Sequence, residues 1–378
     1  MSITIFSFIM AILCCDIFTV IIFILLKKEN FIKYFSMYSI LFLLLLSFCR
    51  LFFNLEFSFA TVIHSDTIFP TITDFFLSKP FHSITLTVGD IFLVFWIAGS
   101  IYFLYRILKQ ELKFKRLMSQ ETLTDDERIN PIMSKIDTKY SKKLCIIKTS
   151  LVSSPMITGY MKPIIYLPEL EFTDSELYYI LFHEWSHYIH KDTWLKLFIN
   201  ITCSIYWWNP LIYLLRYNLN QILEIKSDLY ISKYLTEEEK LEYLESIVKV
   251  AKWINEKTPY VNTASSGVEL VPVHKGHTLK QRFKCILESS SESRKTAMPL
   301  FYAFLLLLFV ISYLFVIQPY KGRPSDYDSN TMFDITPETS YLIKNDDGTY
   351  KWYMDGEYIY TLDSNDISEP PFSEMTIK

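Results

Sequence analysis

Residues 173–190 read Thr-Asp-Ser-Glu-Leu-Tyr-Tyr-Ile-Leu-Phe-His-Glu-Trp-Ser-His-Tyr-Ile-His. Thr173 followed three residues later by Glu176 is a capping box: each side chain satisfies the other's backbone N–H, and a helix starts there and runs to about His190. His183 and His187 are four residues apart, so their imidazoles share one helical face. Such a pair can grip one zinc ion, and Glu184, next to the first histidine, is placed to polarise a water at that ion.

A catalytic zinc needs a third protein ligand and one open position. Asn209-Pro210 is an N-cap followed by a first-turn proline, so a new helix begins there, carrying Glu224 and Asp228. Glu224 is the candidate third ligand. Asp228, one turn on, can accept a hydrogen bond from the far nitrogen of a ligand histidine. Glu184 is then the general base, which later passes the proton to the leaving amine.

Working outward, the 378 residues are 51% hydrophobic and 17% aromatic, and the apolar residues cluster in long runs. Four runs qualify as membrane spans: roughly 3–26, 35–53, 86–108 and 298–317. Basic residues after the first run and no small-residue cleavage pattern make that run a retained signal-anchor. Lys27, Lys28 and Lys33, the group Arg106, Lys109, Lys113, Lys115 and Arg116, and the pair Arg294 and Lys295 all fall on one side if the N-terminus is outside. Lys321 and Arg323 run against this and are outnumbered. The expected organisation is three spans within 1–108 with an external loop at 54–85, a cytoplasmic domain at 109–297, a fourth span at 298–317 and a short acidic external tail at 318–378.

The cytoplasmic block opens with a helix from about Asp125 to Tyr140. Leu144–Lys148 and Pro163–Leu167 look like short strands joined through Gly159, with Pro163 suited to an edge. Residues 194–208 are apolar enough to suggest a fifth span. A span there would put Glu224 and the histidines on opposite faces of the bilayer, so the segment is expected to lie buried in the domain or on the membrane surface. Thr236 and Glu239 form another capping box, and Asp355-Gly356 is a hairpin signal. Asp16 lies within the first span and is expected to be buried against other helices, and Arg50 and Asp90 are placed to pair. The six scattered cysteines form no CxxC and read as reduced packing residues. A net charge of −4 gives no steer toward direct nucleic-acid binding.

The fold class is therefore a mainly α polytopic membrane protein with four transmembrane helices, a cytoplasmic α+β gluzincin-like zinc protease domain and a small external β-hairpin tail. His183-Glu184-Trp185-Ser186-His187, Trp207-Trp208-Asn209-Pro210 and Glu224-x-x-x-Asp228 resemble the integral-membrane gluzincin metallopeptidases of the BlaR/MecR sensor-transducer type. The stretch Ser154–Pro168 is similar to that family's strand segment before the box, and Asp192 matches an aspartate that often follows it. The resemblance implies a zinc metalloendopeptidase facing the cytoplasm, activated from outside, whose activation leads to loss of a DNA-binding repressor. In characterised relatives an external penicillin-binding domain senses β-lactam. The tail here is too short for a transpeptidase-like sensor and contains no Ser-x-x-Lys motif, so the expectation is that this chain lacks it. His277-Thr-Leu-Lys-Gln-Arg282 resembles a histidine-to-arginine segment of related prenyl-protein-processing zinc proteases, which implies that His277 stabilises the oxyanion.

The expected partners are the lipid bilayer, a protein or peptide substrate that adds to the edge strand near Gly159–Leu167, a cytoplasmic repressor, and the chain itself through self-cleavage in the loop 260–297. A homodimer is left open. Two alternatives also stay open: a non-catalytic membrane receptor with a structural zinc, and a housekeeping membrane protease with no sensor role.

Overall fold

In the computed structural model, α1 (Ile5–Lys27) and α2 (Met37–Phe52) pack side by side. The described residues are 5–27, 37–54, 57, 60–65, 68–80, 85–124, 126–136, 144–256, 275–287, 298–319, 340–345, 348–354, 356–362, 367, 372 and 375–377. They fall into two units, Met1–Pro319 and Tyr320–Lys378.

In the first unit, β1 (Thr61–Ser65), α3 (Ile68–Leu77) and α4 (Val88–Met118) follow. Among the described residues, two helices are long and apolar enough to cross a membrane: α1, over Phe6–Lys27, and α4. The other expected spans correspond to shorter helices, α2 with 16 residues and α11 (Met298–Leu314) with 17. Thr87 and Asp90 form a capping box at the start of α4. Asp90 is thus engaged by its own helix and does not pair with Arg50. Arg50 is buried, donates to the Ser312 carbonyl at 3.3 Å and lies over the Tyr313 ring. Tyr313 in turn donates to the Phe53 carbonyl at 2.6 Å, which fastens the ends of α2 and α11 together. Just beyond that fastening, β1 pairs in parallel with β5 (Phe315–Pro319).

The middle of the unit holds α5 (Ile129–Ile136), shorter than the helix expected from 125 to 140, of which residues 125 and 137–140 lie outside the described residues. A three-stranded sheet has the order β2 (Cys145–Lys148), β4 (Ile164–Leu167), β3 (Met156–Thr158). β2 and β4 are parallel, and β3 is antiparallel to β4. The stretch Gly159–Leu167 is therefore no edge: β4 is paired on both sides. The free edge beside α6 belongs to β3, which packs against that helix. Three residues are too few to show an alternating pattern, which is why the strand is invisible in the sequence. Gly159 makes the β3–β4 turn at φ +89°, and a Cβ there would lie 2.1 Å from the Lys162 carbonyl oxygen. Gly159→Ala is expected to cost about 2 kcal/mol or more through left-handed strain and that clash, read as a lowered unfolding midpoint.

Next come α6 (Asp174–Ile189), α7 (Asp192–Ile205), α8 (Pro210–Ser232), α9 (Glu237–Glu256) and α10 (Lys275–Leu287). The capping boxes at Thr173–Glu176 and Thr236–Glu239 are both formed, and Asn209 caps α8. α6 is apolar on two sides. Leu177, Ile180, Leu181 and Trp185 pack toward the sheet and α5, while Tyr179 and Phe182 pack toward α8 and α9. The stripe left between them carries His183 and His187.

Segment 194–208 falls largely in α7, a helix of 14 residues. α7 and α8 form a helical hairpin whose tip reaches the apolar helices. Asn209 donates to both oxygens of Asp16 in α1 at 3.0 and 3.2 Å, and Asn218 donates to the Thr19 carbonyl at 3.1 Å. Trp96 of α4 donates to the Ile205 carbonyl, and a Cβ on Gly99 would lie 2.4 Å from the Trp207 ring, so only glycine allows this approach. Asp16 accordingly finds its partner in the hairpin tip. One core joins Cys15, Phe18, Ile22 and Leu26 of α1 with Leu43, Leu44 and Leu51 of α2, Ile199 and Cys203 of α7 and Leu215, Leu219 and Leu223 of α8. All six cysteines are free.

The second unit is a sheet of order β8 (Glu357–Leu362), β7 (Tyr350–Met354), β6 (Ser340–Lys344), β9 (Thr376–Ile377). The expected hairpin around Gly356 is its β7–β8 half. The tail is thus a four-stranded sheet and not a hairpin alone, because β6 and β9 add to it and Leu342, Trp352, Met354, Leu362 and Met375 close a small core.

Candidate metal centre

The stripe on α6 faces the middle of α8. His183 and His187 are buried, with ring centroids 4.9 Å apart. Glu224 reaches both: Oε2 lies 3.4 Å from His183 Nε2, and Oε1 lies 3.6 Å from His187 Nε2. One ligand atom from each of the three falls within 4.8 Å of the others. A tetrahedral zinc with bonds of about 2.0–2.1 Å sets its ligand atoms roughly 3.3–3.5 Å apart, so the spacing suits that ion.

The far nitrogens of both histidines are occupied, which leaves each Nε2 for the cation. His187 Nδ1 lies 2.8 Å from Asp192 Oδ2 and 3.1 Å from Ser227 Oγ. Asp192 is fully buried and ion-paired with the buried Lys226. It reaches His187 because the α6–α7 link is only two residues long and turns sharply at Lys191, φ 58°. On the other side, His183 Nδ1 lies 2.9 Å from Tyr243 Oη, which donates to Asp228 Oδ1 at 2.6 Å. Arg282, brought by α10, clasps Asp228 through Nε at 2.6 Å and Nη2 at 2.8 Å, and its Nη1 lies 3.6 Å from Glu224 Oε2.

Electrostatics follow from this arrangement. Burial raises the cost of the His183 imidazolium, but the Asp228 and Glu224 carboxylates outweigh it and push its pKa up to about 9. Burial works against the Asp228 carboxylate too, yet Arg282 and His183 bring its pKa down to about 2. Glu224 is likewise held well below the usual carboxylate range despite burial, chiefly by the two histidines and Arg282. Three carboxylates (Asp192, Glu224 and Asp228) meet two cations, Lys226 and Arg282. The donor set, two imidazole nitrogens and a carboxylate at that spacing, fits zinc. Glu184 is buried beside the stripe, and no hydrogen-bonding or ionic partner engages it among the described residues.

His190 stays away from the cluster: its Nδ1 is 2.7 Å from the Ser186 carbonyl and its ring packs on Tyr230. His277 falls in α10, but its side chain lies outside the described residues, as does most of the loop 260–297. Tyr243, Lys226 and Ser227 were not singled out by sequence. A tyrosine on the inward stripe of an amphipathic helix reads as core, and a lysine reads as surface.

An HExxH helix with a downstream glutamate completing a His-His-Glu donor set defines the gluzincin type of metallopeptidase. The chain belongs to the BlaR1 peptidase M56 family, whose profile matches residues 60–286. It is similar to the methicillin resistance mecR1 protein of Staphylococcus aureus, 23% identical over 294 residues, 76% of this chain and 49% of that protein. It is also similar to the regulatory protein BlaR1 of Bacillus licheniformis, 26% identical over 198 residues, 51% of this chain and 33% of the relative. With the BlaR1 of Staphylococcus aureus it shares 29% identity over 170 residues, 43% of this chain and 28% of the relative. The chain spans about half the length, or less, of the curated relatives it matches.

Proposed function

We propose that this chain is a membrane-embedded zinc metalloendopeptidase that hydrolyses peptide bonds at the cytoplasmic face, acting as a signal-transducing protease on itself, on a transcriptional repressor, or on both. The observation that carries the reading is the convergence of His183, His187 and Glu224, with the buried Glu184 next to His183 on the same helix. His183, His187 and Glu224 would hold the zinc. When bound, the ion supplies Lewis acidity to the attacking water and the scissile carbonyl. Glu184 takes the proton that the water gives up and delivers it to the departing amine. Asp192 and the Tyr243–Asp228 pair keep the two imidazoles oriented. His277 is carried as the oxyanion donor. Its helix also bears Arg282, which reaches the centre. The free edge of β3 beside α6 offers an extended substrate its backbone hydrogen bonds.

Four spans with the N-terminus outside remain the proposed topology, on the distribution of basic residues. The β1–β5 pairing supports it, since both strands must lie on one side of the membrane. The names of the mecR1 and BlaR1 relatives support a regulatory role in an antibiotic response.

The test uses the full chain purified in lipid nanodiscs. Close to one zinc per chain is expected, with cleavage of the chain or of a co-expressed repressor. A chelator should stop cleavage and added zinc should restore it. A zinc-loaded protein that cuts neither, while a relative does under the same conditions, ends the peptidase reading.

A further inference from the structure

The centre has two orienting arms, and the one on His183 is built around a phenol. Asp228 could take the His183 Nδ1–H directly, but the two atoms are 3.4 Å apart, beyond the usual N–H···O range. Tyr243 Oη, at 2.9 Å, is within it. Asp228 is already engaged by Arg282 through both oxygens. The Tyr243 phenol has one proton, and its 2.6 Å contact with Asp228 Oδ1 shows where that proton goes, because the ionised carboxylate can only accept. The remaining lone pair on Oη must therefore accept from His183. The Nδ1 position then carries the proton, and the Nε2 lone pair faces Glu224 and the cation site.

We propose that Tyr243 is a positioning residue for the metal centre: its hydroxyl, held by Asp228 and Arg282, fixes the tautomer and ring plane of His183. The chain of contacts runs from α10 (Arg282) through α8 (Asp228) and α9 (Tyr243) to α6 (His183). Tyr243 is 1% exposed and its ring packs on Tyr179 and near His183, so it has no room to swing aside. The inference rests on the zinc reading above. It also gives α9 a task in that reading: the Thr236–Glu239 cap sets where this helix starts, and with it the position of Tyr243 two turns later.

Tyr243→Phe removes one oxygen, no charge and little volume, so the packing stays. The test measures zinc affinity of the full chain in nanodiscs by competition with a chromophoric chelator. The visible absorption of the cobalt-substituted protein and the unfolding temperature of the metal-free protein are measured alongside. The expected result is zinc binding weaker by about tenfold and a shifted cobalt band, with the metal-free protein unfolding at the wild-type temperature. Affinity within twofold of wild type and an unchanged cobalt band would overturn the proposal, since Asp228 would then be serving His183 directly. A lowered metal-free unfolding temperature with unchanged affinity would overturn it too, leaving Tyr243 a packing residue. Failure of the wild-type chain itself to bind zinc would instead strike the parent reading.

Discussion

Glu184→Gln is expected to leave zinc bound and to lower proteolysis by roughly 10²–10⁴-fold, the range that a positioned general base supplies. Glu184 is buried on α6 next to His183, yet among the described residues it makes no hydrogen bond or ion pair. A carboxylate kept in that condition serves no structural purpose that glutamine would fail to serve. Glutamine has nearly the same shape but cannot take a proton from water. The three candidate ligands are untouched, so metal content should stay at the wild-type level. Metal analysis beside a cleavage assay separates this outcome from its rival: if zinc is structural and the chain is a receptor, the substitution changes nothing measurable.

The second large effect belongs to Asp228. Asp228→Ala is expected to destabilise the protein by about 3–5 kcal/mol, because it leaves the Arg282 guanidinium largely buried without its main counter-charge. Glu224 at 3.6 Å would be the remaining carboxylate near it, and drawing Glu224 toward Arg282 pulls it off the metal position. Zinc affinity should therefore fall along with stability. Unfolding midpoints with and without zinc would resolve the two contributions. A wild-type midpoint in the metal-free variant would show that Arg282 finds water or another partner at no cost.

Local signals were the readable part of this chain. The box helix is written within eighteen residues: a cap, a two-sided apolar pattern and two histidines at helical spacing. Glu224 was within reach as well, since Asn209-Pro210 marks the start of its helix and the Glu-x-x-x-Asp spacing puts two carboxylates on one face. What could not be read depends on which helices dock together. Tyr243 comes from α9 and Lys226 from the opposite side of α8, and nothing in their local sequence distinguishes them from packing and solvent-facing residues. Arg50 and Asp90 illustrate the same limit. Two opposite charges toward the same side of the bilayer suggest a pair, but a local cap claims Asp90 first, and Arg50 lies over Tyr313 instead. β3 and β9 were missed for shortness alone, as strands of three and two residues exist only through their neighbours.

The shared packing of α1, α2, α7 and α8 has a practical outcome for handling the protein. An excised fragment of residues 109–297 would keep every candidate ligand yet lose α1 and α2, so Ile199, Leu215, Leu219 and Leu223 would meet water across a whole helical face. Asn209 and Asn218 would lose their acceptors as well. Such a fragment is expected to precipitate on expression, and useful preparations will need detergent or lipid around the intact polypeptide from the moment of extraction.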